Sequence, residues 1–259
     1  VGEADYVVVE SPYGDRLHKR VDPAEALGEV VRRTIGRGGT LLIPAFAVGR
    51  AQAVLYYLWK LRETSQLPDV PIFLDSPMAI NASDLLHTHR PDHRLAPDVC
   101  DQVCRIATYT RDPEASKRIS ASRVPKIVVS SSGMATGGRV LHHLKAFGAD
   151  ARNTVLLTGY QAAGTRGRAL LEGVRDLKIH GQWTHVAAEV ESLSMLSAHA
   201  DADELIRWLQ GFSGADGAGP RRVFVVHGEP QSSESLRARI NQTFGWNAIV
   251  PRQNHVHRL

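Results

Sequence analysis

The chain has 259 residues, of which 43% are hydrophobic and 22% charged, the ordinary balance of a globular protein with one large or two smaller domains. No apolar run approaches the roughly 20 residues of a membrane span, and the first residues lack the features of a signal peptide. The net charge of +4 favours an anionic partner only weakly. Together these features predict a cytoplasmic protein with no membrane partner.

Short strands alternate with helices along the first two thirds of the sequence. The strand segments are rich in β-branched residues, and each is followed by a turn and an apolar-periodic segment. Strands are predicted at 5–10, 40–44, 72–74, 126–130 and 154–158, and helices at 23–37, 49–61, 79–86, 138–147 and 165–173. This alternation predicts an α/β fold with a mostly parallel sheet covered by helices.

The last third changes in character before the alternation returns. Residues 177–180 and 187–190 predict the two strands of an antiparallel hairpin. A helix at 202–212, a strand at 222–226, a helix at 232–244 and a strand near 248–251 follow, with a glycine-rich linker at 213–219. Cys100 and Cys104 have the spacing of one helix face, so we expect reduced thiols rather than a disulfide or a zinc site.

Three glycine-rich turns each follow a predicted strand and open a predicted helix. They span residues 47–50, 130–139 and 159–168, and each ends in an arginine. Helix N-termini bind phosphate, and ligands of open α/β sheets lie at the carboxyl ends of the strands. The turns therefore predict a track for several phosphates, unless the glycines only shape tight turns. The candidate phosphate- or RNA-binding residues are Gly49, Arg50, Ser131, Ser132, Gly133, Thr136, Gly137, Arg139, Gly164, Thr165 and Arg168.

Polar side chains also stand at the junctions of strands, turns and helices. Glu10 closes the first predicted strand, and His227 ends the strand at 222–226, beside Gly228, which allows close approach of another group. His199 precedes the helix at 202–212. A lone histidine is more often structural than catalytic, but an α/β protein places its site chemistry at such strand ends.

These segments resemble the β-CASP branch of the metallo-β-lactamase fold. The resemblance rests on Glu-Ser-Pro-Tyr-Gly-Asp-Arg at 10–16, on 41–52 and 131–139, on Ser-Ala-His-Ala-Asp at 197–201 and on Val-His-Gly-Glu at 226–229. Pro12 stands where the family usually has threonine. The family comprises RNA-processing exo- and endonucleases with two zinc ions. It implies a residual metallo-β-lactamase segment at 1–20, a β-CASP domain at 21–183, and a return to the metallo-β-lactamase αβ/βα sandwich at 184–259.

The resemblance also implies roles for the three polar residues. His227 would be a ligand of one of the two zinc ions, and His199 would contact the scissile phosphate or protonate the leaving 3′-oxygen. Glu10 would orient the ring of His199. Hydrolysis of a phosphodiester at two metals needs a hydroxide nucleophile, charge neutralisation and a proton for the leaving group, so these roles are chemically consistent.

The family's H-x-H-x-D-H zinc motif lies before the segment that here begins at Glu10. We therefore expect a missing N-terminal metallo-β-lactamase segment as a partner, no zinc retained by this chain alone, and no activity of the chain alone. His87, His89 and His93 resemble the motif, but their run is one residue too long and follows a helical segment, so we expect surface histidines.

Three functions remain open. The leading one is a zinc-dependent hydrolase, exo- or endonuclease, that cleaves single-stranded RNA, with a homodimer as one candidate assembly. The second is a non-catalytic module that binds single-stranded RNA through the three turns. The third, a protein for a phosphorylated metabolite, is disfavoured because no acidic residue follows a G-x-G-x-x-G turn as a ribose contact requires.

Overall fold

The computed structural model describes residues 3–213 and 219–259, which form two compact units. One unit is Arg20–Ser197, and the other comprises the two ends of the chain, up to Lys19 and from Ala198 to Leu259. The strands are β1 (Tyr6–Glu10), β2 (Thr40–Pro44), β3 (Ile72–Asp75), β4 (Thr108–Tyr109), β5 (Lys126–Ser130), β6 (Thr154–Leu157), β7 (Asp176–Ile179), β8 (Gln182–His185), β9 (Glu189–Ser192), β10 (Arg222–Val226) and β11 (Ala248–Ile249). The helices are α1 (Pro23–Gly36), α2 (Arg50–Glu63), α3 (Pro77–Thr88), α4 (Pro97–Arg105), α5 (Pro113–Ala121), α6 (Val140–Phe147), α7 (Arg166–Leu171), α8 (Ala202–Gln210) and α9 (Pro230–Phe244).

A parallel six-stranded sheet forms the centre of the larger unit, in the order β4-β3-β5-β2-β6-β9. Every residue of β2 and β5 is buried, as expected for strands that helices cover on both faces. Leu41 and Ile43 belong to one apolar cluster, and Leu42 between them belongs to another. Because successive side chains of a strand point to opposite faces, the two clusters lie on the two sides of the sheet, which confirms the predicted fold class.

The predicted hairpin at 177–180 and 187–190 is wrong in its second strand. β7 pairs antiparallel with β8 instead, because His180 and Gly181 both have positive φ, 48° and 77°, and make the two-residue turn that joins hairpin strands closely. The segment after β8 becomes β9, which pairs in parallel with β6 at the edge of the large sheet. The larger compact unit ends at Ser197, after β9.

Two further helices complete the larger unit: α4, which only the spacing of Cys100 and Cys104 indicated in the sequence, and α5, which was not predicted. Both α4 and α5 begin at a proline, which suits the first helical turn because its missing N–H would have no partner there. Asp112 caps α5 by accepting a hydrogen bond from the backbone N–H of Ala115 at 2.9 Å. Cys100 and Cys104 lie on α4 as free thiols.

The smaller unit has a parallel three-stranded sheet in the order β1-β10-β11. Its apolar cluster includes Val7, Val9 and Val225 of the strands together with Leu205 of α8 and Leu236 of α9. The last and first parts of the chain therefore share one core. Among the described residues, no helix combines the length and the apolar character that crossing a membrane would require.

Candidate active site and glycine turns

The parallel pairing of β1 with β10 brings two of the predicted site residues to one end of the small sheet. Glu10 is the last residue of β1, and its partner in the register is Val226, the last residue of β10. His227 follows directly, with a φ of 58° that turns the chain sharply at the strand end. The sheet thus places Glu10 and His227 side by side at the carboxyl ends of adjacent strands.

Glu10, His199 and His227 form one cluster. The Glu10 Oε2 atom lies 2.6 Å from Nδ1 of His199, and Glu10 Oε1 accepts a hydrogen bond from the backbone N–H of Ala200 at 3.0 Å. Nδ1 of His227 is 3.9 Å from Glu10 Oε2, and the two imidazole rings are 5.3 Å apart between centroids. The side chain of His227 is 68% exposed, so the cluster opens to solvent on that side.

The segment around His199 is held by the N-cap of α8. The Asp201 carboxylate accepts hydrogen bonds at 2.9 Å from the backbone N–H groups of both Glu204 and His18, while Glu204 accepts one from the backbone of Asp201. Burial alone would raise the pKa of Asp201, but these backbone donors outweigh it and lower the pKa below its usual value. The ring of His18 also contacts the carbonyl oxygen of His199 at 2.9 Å. The backbone of His199 is therefore fixed from both sides.

The turn after His227 requires glycine. A Cβ atom at Gly228 would lie 2.6 Å from the carbonyl oxygen of Ser11 and 2.7 Å from Oγ of Ser233, distances that real side chains do not adopt. The hydroxyl of the buried Ser11 in turn donates to the carbonyl oxygen of Val226 at 2.7 Å. This close approach locks the end of β10, and with it His227, against the residue that follows Glu10.

The cluster offers the types of donor atom that bind metal ions. A carboxylate and two imidazoles are ligands that zinc accepts, and one ligand atom of each residue lies within 4.8 Å of the others. Within the described part of the chain, this is the one such group of three or more. A two-zinc centre needs more ligands than three residues offer, and Glu10 and His199 already bind each other. These three residues could therefore supply part of the ligands of one zinc ion, but not all the ligands of a two-zinc centre.

The histidine run at 87–93 is not gathered into a site. His87 lies near the end of α3 and contacts Asp101 at 3.0 Å, whereas His89 contacts Asp92 at 3.1 Å. Nε2 of His93 contacts the carbonyl oxygen of Leu86 at 3.1 Å. The three rings therefore have separate partners.

In the larger unit, the structure brings the three glycine turns together. They follow β5, β2 and β6, which are adjacent parallel strands, so the turns share one edge of the sheet. The turns at 130–139 and 159–168 also touch each other: the Gly167 N–H donates to the carbonyl oxygen of Met134 at 3.0 Å, and Gln161 donates to the carbonyl oxygen of Gly133 at 3.0 Å. The contiguous edge that the sequence predicted is present.

Several polar groups of these turns already have protein partners. Oγ of Ser132 accepts from the N–H groups of Thr136 and Gly137, at 3.1 and 3.2 Å. Thr165 caps α7 by accepting from the N–H of Arg168, and the guanidinium of Arg168 pairs with Glu172 at 2.6 Å. Gly49 precedes α2 with a φ of 79° and no side-chain cap, and Gly164 has the same φ. The hydroxyls and glycines of these turns thus have structural roles whether or not phosphate binds there.

Arg139 has a structural role that the sequence did not indicate. Its guanidinium contacts the buried carboxylate of Asp75 at 2.5 Å and donates to the carbonyl oxygens of Thr110 and Arg111 at 2.8 and 2.6 Å. Its helix, α6, begins at Val140 rather than at residue 138, because Gly138 has a φ of 79° outside the helical range. These contacts explain an arginine at this position without any phosphate.

The sequence predictions did not include two features that support the site. Asp201 and Glu204 have the spacing of a capping box, a local signal that the sequence itself carries. His18 carries no comparable signal, because its contact with His199 joins residues 181 positions apart. The capping box is therefore predictable from sequence, whereas the role of His18 depends on the fold.

Two family models match the chain. Residues 51–170 match the Beta-Casp domain, and residues 183–251 match the Zn-dependent metallo-hydrolase RNA specificity domain. Together the matches cover most of the sequence, and they place the histidines of the cluster in the second one. The two matched domains follow one another along the chain in the same order as the motifs of the sequence analysis.

Several curated proteins are similar to nearly the whole chain. Ribonuclease TTHA0252 of Thermus thermophilus is 37% identical over 90% of the chain and 53% of its own length. The RNase J-like protein of Methanocaldococcus jannaschii is 33% identical over 97% and 58%, and Transcription termination factor FttA of Pyrococcus abyssi is 33% identical over 98% and 40%. The chain thus spans about half the length of the relatives it matches. It belongs to the β-CASP family of metallo-β-lactamase-fold RNA nucleases.

Proposed function

We propose that this chain supplies the acid–base group and one zinc ligand of a ribonuclease that hydrolyses phosphodiester bonds in single-stranded RNA. The observation that carries the proposal is the contact between Glu10 Oε2 and His199 Nδ1 at 2.6 Å, with His227 beside it. The names of two relatives, a ribonuclease and an RNase J-like protein, support the same reaction class.

In this proposal Glu10 positions the imidazole and His199 moves the proton. The carboxylate contacts Nδ1, so the proton given to the leaving 3′-oxygen is carried on Nε2, the nitrogen that Glu10 does not contact. A carboxylate partner fixes the ring orientation and stabilises the charged imidazolium, as in other acid–base pairs. The amide of Ala200 holds the carboxylate of Glu10, and the ring of His18 contacts the backbone carbonyl oxygen of His199.

His227 is the residue that would hold zinc. Its exposed imidazole is a strong zinc ligand, and the remaining ligands are expected from an H-x-H-x-D-H segment, which these 259 residues do not contain. When bound, zinc would supply a hydroxide near neutral pH and neutralise charge on the phosphate. We expect these 259 residues alone to retain less than about one zinc per molecule after mild chelation.

Variants of the two histidines test these assignments in a protein that joins this chain to an H-x-H-x-D-H segment. His199→Ala should slow RNA cleavage by about a hundredfold or more while the zinc content stays unchanged. His227→Ala should lower both the cleavage rate and the zinc content. Loss of zinc in His199→Ala would mean that His199 is a ligand, and an unchanged cleavage rate would reject its acid–base role.

The three glycine turns share one sheet edge and each carries an arginine, and this arrangement supports single-stranded RNA as the partner. A non-catalytic RNA-binding module would use the same edge of the sheet, and its histidine cluster would have no catalytic role. Zinc addition separates the two: the proposed ribonuclease hydrolyses RNA when zinc and the H-x-H-x-D-H segment are present, whereas a binding module retains the RNA intact.

A further inference from the structure

A cavity of about 560 Å³ lies between α5 and α6 in the larger unit. Its volume is in the range of small-molecule sites. One part of its wall is apolar, formed by Pro113, Ala121 and Ala146. None of Glu10, His199 and His227 lines it, so its function is a separate question from that of the candidate active site.

The polar part of this wall is made of nitrogen bases and hydroxyls. Lys117, Arg139, Lys145, His142 and Ser120 line the cavity, and no acidic side chain is among its described lining residues. Lys117 pairs with the exposed Glu114, whereas among the described residues the hydrogen-bond partner of Lys145 is the neutral amide oxygen of Gln182, at 2.9 Å. The charge of Lys145 is therefore available for an anion in the cavity.

Two of these polar groups are fixed by a buried network. The Asp75 carboxylate, which is fully buried, contacts Arg139 at 2.5 Å and Nε2 of His143 at 2.6 Å. Nδ1 of the same imidazole contacts Oγ of Ser120 at 3.0 Å. Arg139 also donates to two backbone carbonyl oxygens, yet a guanidinium has further donors for a ligand. A wall that is ordered before the ligand arrives lowers the entropic cost of binding.

His142 of the cavity lining lies among other nitrogen bases. Its ring lies 4.6 Å from that of His180, between centroids. Burial lowers the pKa of His142, and the nearby His180, His143 and Lys145 lower it further.

We propose that the cavity binds a nucleoside monophosphate unit, with its phosphate on Lys145, Lys117 and Arg139 and its sugar and base against the apolar wall. Lysine and arginine recognise phosphate through charge-assisted hydrogen bonds, and the apolar side chains of Pro113, Ala121 and Ala146 in the same lining accept an uncharged group. The unit comes either from a free nucleotide or from one position of an RNA strand. The two sources share this chemistry.

Calorimetric titration of the 259-residue chain with AMP, adenosine and inorganic phosphate tests the proposal. AMP should bind saturably at one site, and adenosine should bind at least about tenfold more weakly because the phosphate contacts are lost. Lys145→Glu should weaken AMP binding by about tenfold or more. Lys60→Glu, which changes a lysine of α2 that does not line the cavity, should leave it unchanged.

An adenylate oligonucleotide identifies the source. Competition with AMP, together with an equal weakening by Lys145→Glu, would assign the site to an RNA strand, whereas absence of competition would assign it to a free nucleotide. The proposal is overturned if AMP does not bind saturably, if adenosine binds as tightly as AMP, or if Lys117→Glu and Lys145→Glu both leave AMP affinity unchanged. The Lys variants change exposed or half-exposed side chains, so folding is not at risk.

Discussion

At the scale of single residues, Gly228 is a position of the site where a larger side chain does not fit. Gly228→Ala should destabilise the protein by about 2–3 kcal/mol, because the new Cβ meets Ser11 and Ser233 at 2.6–2.7 Å and the backbone must move. Urea unfolding monitored by circular dichroism measures the change in the free energy of unfolding.

Gly36 provides the matched control. A Cβ there meets nothing within 4 Å, and the residue is the last of α1, so Gly36→Ala should be neutral or stabilise by up to about 1 kcal/mol. Equal stability of the two variants would show that the turn after His227 is not tightly packed.

Asp75 is the residue whose charge the larger unit depends on. Burial would raise its pKa, but hydrogen bonds from His143, Ser116 and Arg139 lower it below the usual value. Asp75→Asn should cost about 3 kcal/mol or more at pH 7, because Arg139 and His143 lose a buried charged partner.

The lowered pKa of Asp75 makes the stability of the protein depend on pH. Since the folded-state pKa of Asp75 is below the unfolded value, its contribution is fully present above about pH 4 and is lost as the pH falls through the folded value. The stability difference between wild type and Asp75→Asn should therefore shrink in acid. For comparison, Asp150→Asn removes a surface pair with Arg152 and should cost less than about 1 kcal/mol. A difference for Asp75 that grows in acid would contradict the assignment.

At the scale of elements, the N-terminus of α8 determines where His199 lies. Asp201→Ala should lower stability by about 1–2 kcal/mol, because it removes the cap of α8 and the acceptor of the His18 N–H. The resonances of the His199 ring should shift in the same variant, since its backbone loses an adjacent anchor. NMR spectra and denaturant unfolding measure the two effects.

Asp112→Ala is the control for this change. It removes the cap of α5, another helix, and should lower the stability less than Asp201→Ala does, without moving the His199 resonances. If both variants leave His199 unaffected, the capping box does not position the site.

The elements also show what sequence reasoning can reach. The buried strands β2 and β5 and the capped helix α1 have strong local signals, and they form as predicted. The predicted partner of β7 was wrong because two segments have strand-like sequences. Only the turn conformation at His180 and Gly181 decides which of them pairs with β7. Local patterns predict that a strand exists, but its pairing is a property of the fold.

The functional residues likewise comprise some that the sequence predicts and some whose role depends on the fold. Glu10, His199 and His227 were predicted from ordered motifs, and the structure places them within 4.8 Å of one another. The buried partnership of Arg139 with Asp75 was not predicted, because residues 64 positions apart meet there through sheet topology. A residue at a glycine turn has the same sequence context whether its side chain meets a phosphate or a carboxylate.

At the scale of the whole molecule, the proposed chemistry rests on Glu10 acting through His199. A double-mutant cycle of RNA cleavage tests this most directly, in a protein that joins this chain to the H-x-H-x-D-H segment. Glu10→Ala alone should slow cleavage, but adding it to His199→Ala should cause no further loss, because the group it positions is already absent. Losses that multiply in the double variant would contradict this coupling and give Glu10 a role independent of His199.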